Sequence, residues 1–169
     1  MPFSDPMADG PTIQLSSNRS IKNGINLDDI FKISAEFRKY NDSVPLILMG
    51  YYNVIFNYGI QNFVNSCNKV GIDGLIIVDL QPEEDPELSK ALESTSINLI
   101  RLITPTTNEN RLKTILQNAS GFLYFVTITG ITGQNSANIN ELKNMLAEVK
   151  KHTKLPIVSG FGIKNVDQI

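Results

Sequence analysis

These 169 residues contain no tryptophan, and cysteine and histidine occur once each, as Cys67 and His152. A single cysteine excludes an intramolecular disulfide and points to a reducing compartment. The sequence holds no metal-ligand spacing, no Ser/His/Asp set and no Cys/His set, so metal-assisted hydrolysis and nucleophilic triads are not indicated. An excess of one charge is also missing. Fifteen Lys and Arg stand against 17 Asp and Glu, for a net charge of -2, which gives no electrostatic case for binding nucleic acid or an anionic membrane. No apolar run approaches the roughly 20 residues that span a bilayer. The opening MPFSDP has neither the basic nor the apolar region of a signal peptide. The expectation is a soluble cytoplasmic chain, long enough for one domain with a real core.

Five short apolar runs are present: VPLILMG (44–50), DGLIIVDL (73–80), INLIRLIT (97–104), GFLYFVTITG (121–130) and LPIVSGFG (155–162). They are nearly continuous rather than alternating, which predicts strands buried on both faces, as in a parallel sheet. Helical spacing lies between them. It is seen in 27–40 (Ile30, Ile33, Phe37, Tyr40), in 60–70 (Ile60, Phe63, Val64, Cys67, Val70), and in 84–93, 108–118 and 139–151. A further helix is predicted from Pro11 to about Gly24. Strand followed by helix, repeated, predicts right-handed βαβ units. With no linker or low-complexity segment, residues 1–169 read as a single domain. The fold class expected is α/β with about five parallel strands, either an open sheet or a single incomplete β/α-barrel domain, that is, a partial (β/α)8 barrel. An eight-stranded barrel typically takes about 250 residues.

Ligands of parallel α/β folds sit at the carboxyl ends of the strands. Two of the five ends here are rich in glycine, TITGITG (127–133) and SGFG (159–162). Backbone N–H groups in such loops can approach an oxyanion closely, and together they suggest a phosphate cradle. Each of Gly130, Gly133, Gly160 and Gly162, taken alone, could equally supply turn geometry. Asp9 in ADGP could be a helix N-cap, and Asp5 before Pro6 a turn former. Tyr124, in mid-strand, reads as core unless its hydroxyl reaches a ligand. Cys67 lies on an apolar helical stripe and reads as packing. His152 ends a lysine-rich helix and reads as solvent-facing.

The motif PFSDPMADGPTIQ strongly resembles the signature loop of the tryptophan synthase alpha chain family. The resemblance continues in order through LMGYYNVIFNYGI, DGLIIVDLQPEE, GFLYFVTITGITG and PIVSGFGI, essentially end to end. It implies an eight-stranded β/α barrel and a lyase of tryptophan biosynthesis. Such an enzyme cleaves indole-3-glycerol phosphate to indole and glyceraldehyde 3-phosphate by a retro-aldol step. It needs no cofactor of its own; pyridoxal phosphate belongs to the beta chain, the partner in an alpha2-beta2 complex. The resemblance implies Asp9 as a catalytic carboxylate, and Tyr124, Thr132, Gly133, Gly160, Phe161 and Gly162 around the substrate and its phosphate. It implies Pro2, Asp5, Pro6, Asn53, Phe56 and Asn57 as contacts to the beta chain. No metal is implied. Where the family often has Pro-Pro after the strand ending near Asp79, this chain has Gln81-Pro82, a change at a partner contact.

The family's other catalytic carboxylate is a glutamate on the strand before PFSDP. That strand, the first strand and helix, and the last strand with its Gly-Ser loop are not in these 169 residues. The chain alone is therefore expected to be inactive, since a general acid contributes about 10²–10⁴ in rate. Two other readings are a non-catalytic remnant that docks on a beta chain, and a different phosphate-binding barrel such as a sugar-phosphate isomerase. The latter leaves PFSDPMADG without a role.

Overall fold

A computed structural model describes residues 1–126 and 139–160 of the chain. Five parallel strands alternate with helices, as the apolar runs predict. Contacts divide the chain into two compact units, Met1–Leu99 and Ile100–Ile169.

The first unit holds helices α1 (Pro11–Lys22), α2 (Leu27–Tyr40), α3 (Tyr52–Tyr58), α4 (Ile60–Val70) and α5 (Pro86–Leu92), with a short 3-10 turn at Pro82–Glu84. Its strands β1 (Ile47–Gly50) and β2 (Gly74–Ile77) pair in parallel, Leu48 opposite Leu75. All four residues of β2 are buried, as a nearly continuous apolar run requires. The strand β3 (Asn98–Ile103) begins here: the main-chain and side-chain nitrogens of Asn98 both donate to the carbonyl of Asp73, at 2.9 and 3.1 Å. A reciprocal capping box starts α2. The Asn26 side chain accepts from the Asp29 amide and the Asp29 carboxylate accepts from the Asn26 amide. The core of the unit is built on Ile55, Phe63, Val64, Cys67, Leu75 and Leu88, all fully buried. Burial pushes the Cys67 thiol up to about 12, so it stays protonated and serves as packing.

The second unit holds the rest of β3, with β4 (Leu123–Val126), β5 (Ile157–Gly160), α6 (Glu109–Gln117) and α7 (Ile139–His152). Here β3 pairs with β4 and β4 with β5, all parallel. Ile103, Leu112, Ile115, Leu123 and Phe125 form its core, flanked by Met145, Val149 and Ile157. His152 lies in the last turn of α7, its Nε2 3.7 Å from Glu148.

Two features depart from the sequence pattern. In α2 the buried side is Leu27, Phe31 and Ser34, while Ile33 and Tyr40 are 61% and 83% exposed. The helix carries two apolar stripes, and the one starting at Leu27 meets α4, where Phe31 packs on Phe63 at 5.8 Å between ring centroids. Helix α3 was not legible as a helix. It has seven residues, too few for a period to show, and Gly59 at φ +88° separates it from α4.

At the amino ends of the strands one guanidinium ties the first unit together. Arg38 donates to the carbonyls of Gly71 (2.8 Å), Asn41 (3.2 Å) and Val44 (2.8 Å) and pairs with the Asp73 carboxylate. The Asp73 carboxylate also accepts from the Leu46 amide at 2.6 Å. Residues 46 and 73 immediately precede β1 and β2.

Candidate active site

The loop 1–10 runs along the opposite, carboxyl end of β1. Its start is fixed where the Met1 nitrogen donates to the Met49 carbonyl at 2.7 Å. There Gly50 leaves room for the Met1 side chain; a Cβ at Gly50 would stand 2.6 Å from Met1 Cε. A turn follows, with the Asp9 amide bonded to the Pro6 carbonyl at 3.0 Å. Pro6 is buried and Asp5 is exposed.

Asp9 does not cap α1. The N-cap is Gly10, with no side-chain hydrogen bond, and Pro11 takes the first helical position. The Asp9 carboxylate turns instead to β1, where its Oδ2 accepts the hydroxyl of Tyr51 at 2.8 Å. The same hydroxyl accepts from the Ala8 amide at 3.0 Å. Tyr51 is 3% exposed, and its ring lies 5.3 Å from that of Phe3. Burial, reinforced by the hydrogen bond to Asp9, pushes its hydroxyl up to about 12, so Tyr51 is a neutral donor at physiological pH. Just beyond, the Tyr52 amide donates to Asp79 Oδ1 at 2.8 Å. Asp79 thus satisfies one of the free N–H groups at the start of α3 from the end of β2. Sequence reasoning noted Asp79 only as a strand-end residue and passed over Tyr51. A tyrosine directly after a strand ending in Gly50, at the carboxyl end, was the available signal.

The expected partner contacts gather in part. A groove of about 440 Å³ is lined by Pro2, Phe3, Ile21, Asn53, Val54 and Asn57, among others. Asn57 donates to Asn53 across one turn of α3 at 2.9 Å. Phe56, on the same helix, is 60% exposed, with its ring 6.2 Å from that of Tyr52.

In the second unit, Tyr124 and Gly160 are brought together on neighbouring strands. A Cβ built at Gly160 would overlap the Tyr124 hydroxyl, so the close approach demands glycine. Burial raises the Tyr124 hydroxyl above its ordinary value. Thr132, Gly133, Phe161 and Gly162 lie outside the described residues. Among the described residues no group of three His, Cys, Asp or Glu side chains could hold a metal ion, and no helix is long and apolar enough to cross a membrane.

Parallel strands alternating with helices, with polar side chains collected at the carboxyl ends of β1 and β2, define an α/β fold with the repeat of a β/α barrel. The family model described as tryptophan synthase alpha chain matches residues 1–169, and the chain belongs to that family. It is similar to the tryptophan synthase alpha subunit of Legionella pneumophila strain Paris, with 39% identity and a TM-score of 0.86 over 98% of this chain and 60% of that one. A structure from Aquifex aeolicus VF5 matches at 36% identity with a TM-score of 0.89, covering 99% of this chain and 63% of the other. The tryptophan synthase a2b2 complex of Pyrococcus furiosus, solved to explain its mutual activation, matches at 36% identity and a TM-score of 0.86, over 98% and 66%. The chain therefore spans about three fifths of the length of the first of these relatives.

Proposed function

We propose that the chain serves tryptophan biosynthesis as alpha-chain material of tryptophan synthase, a lyase. Its substrate is indole-3-glycerol phosphate, cleaved by a retro-aldol step to indole and glyceraldehyde 3-phosphate. The carbon–carbon bond can break once the ring carbon that carries the glycerol phosphate is protonated, which places positive charge on the indole nitrogen. A carboxylate beside the ring N–H stabilises that charge. The observation that carries the reading is the Asp9 carboxylate, fixed at the carboxyl end of β1 rather than spent on capping α1. By resemblance Tyr124, which lies against Gly160 on the neighbouring strand, and Thr132 are assigned to the substrate, and Gly133, Gly160, Phe161 and Gly162 to its phosphate side. No cofactor is assigned to this chain, and pyridoxal phosphate is assigned to the beta chain. The setting is cytoplasmic, and residues 1–169 count as part of one barrel domain.

The partner reading rests on the groove beside α3. Pro2, Asn53 and Asn57 line it, and the exposed Phe56 lies on the same helix. Asp5 and Pro6 belong to the loop that supplies its rim. A beta chain seated here would cover these residues. The catalytic reading is tested by indole release from indole-3-glycerol phosphate with a beta chain present, in a chain completed with the family's glutamate-bearing strand and its last strand; the docking reading is tested by capture of the beta chain. Asp9→Asn is expected to lower the rate by about 10²–10⁴-fold, the usual worth of a positioned acid–base group. Equal rates for Asp9→Asn and the parent chain would overturn the catalytic reading. Undiminished capture of the beta chain by Phe56→Ala with Asn57→Ala would overturn the docking one.

A further inference from the structure

We propose that Tyr51 is the positioning residue of this site: its hydroxyl, anchored by the Ala8 amide, holds Asp9 by Oδ2 and leaves Oδ1 to take the N–H of the substrate. The inference rests on the reading of Asp9 given above. Asp9 stands on a loop, and a loop carboxylate has rotamers to spare. What limits it is the element opposite. The Tyr51 ring is buried against Phe3, and its backbone is extended at the N-cap of α3. The next amide, that of Tyr52, is fixed by the Asp79 carboxylate at the end of β2. The path from sheet to carboxylate runs from Asp79 through the Tyr52 amide and the Tyr51 ring to Asp9. Among the described residues no hydrogen bond is made to Asp9 Oδ1. Among the described residues the other hydrogen bond of Asp9 outside its turn is at its carbonyl, which accepts from the Gln14 side chain at 3.0 Å and does nothing to orient the carboxylate, and the Met1 ammonium adds a longer-range attraction.

One oxygen engaged and one open is the arrangement a charge-stabilising carboxylate needs. An ion free to rotate pays for its orientation during the reaction; one already held does not. The hydroxyl also serves as the acceptor for Ala8, so it has a single proton and a single place to direct it. The same tyrosine therefore sets both the loop backbone and the side chain it presents.

The test compares the full chain with Tyr51→Phe, which keeps the ring and its contact with Phe3 and removes only the hydroxyl. The Asp9 carboxyl carbon is followed by carbon-13 NMR as indole-3-glycerol phosphate is added. In the parent chain the signal is expected to shift on binding, and in Tyr51→Phe at least half of that shift is expected to be lost. In the chain completed with the glutamate-bearing strand and the last strand, assembled with a beta chain, Tyr51→Phe is expected to lower kcat about 10–100-fold with KM unchanged, the pattern of a misplaced catalytic group. An Asp9 signal that responds equally in both chains overturns the positioning role alone, as does a rise in KM at constant kcat. An Asp9 signal indifferent to substrate in the parent chain overturns the reading of Asp9, and the positioning role with it.

Discussion

Tyr124 and Gly160 meet so closely that one methyl group decides whether they can coexist. Gly160→Ala should force the Tyr124 ring aside, at about 1–3 kcal/mol for an overpacked contact. In a double-mutant cycle with Tyr124→Ala, urea unfolding should show the two costs to be less than additive, because the second change removes the obstacle. Tyr51 allows a prediction in pH. Its hydroxyl ionises near 12 in the folded chain and near the ordinary 10 when unfolded. Below pH 10 both forms are protonated and Tyr51 adds no slope. Between 10 and 12 only the unfolded form loses the proton, so stability falls as pH rises. Other tyrosines are raised as well, so the quantity to measure is the difference between the parent chain and Tyr51→Phe. The variant should lose less stability across that interval in alkaline denaturant titrations.

Helix α3 depends on a residue outside itself. It is short, its N-cap is Tyr51 with no side-chain cap, and Asp79 supplies the missing acceptor from β2. Asp79→Ala should cost about 1 kcal/mol, as loss of a cap does, and should raise amide exchange at Tyr52 and Asn53 before it does so in α4. The elements also show what a sequence can and cannot disclose. Helices α2 and α4 were readable to the residue, because 14 and 11 residues hold enough turns for apolar spacing to emerge. The strands were placed by their continuous apolar runs. The buried side of α2 was not, because a period marks a stripe without saying which of two stripes meets the neighbour. Asp9 could be named through the motif around it, but its partner could not: the pairing with Tyr51 spans 42 residues and exists only once β1 brings them together.

For the whole molecule, the burial of apolar surface is uneven. Helix α1 buries none of its residues, and Ile13, Leu15 and Ile21 stand exposed, with Met7 on the preceding loop 79% exposed. Apolar surface of this extent favours association. Replacing Ile13 and Leu15 with lysine should raise the concentration at which light scattering sets in, with a change in urea midpoint within the ±0.5 kcal/mol usual for surface sites. A further consequence follows from the Arg38 tie. It grips Gly71, Asn41, Val44 and Asp73 at the amino ends of the strands, whereas Asp9, Tyr51 and Asp79 gather at the carboxyl ends. Stability and the proposed chemistry thus fall to opposite poles of the same strands. On the reading of Asp9 proposed above, substitutions at the carboxyl pole can alter the site while the guanidinium lock at the other pole stays closed, so the two properties can drift, or be engineered, independently.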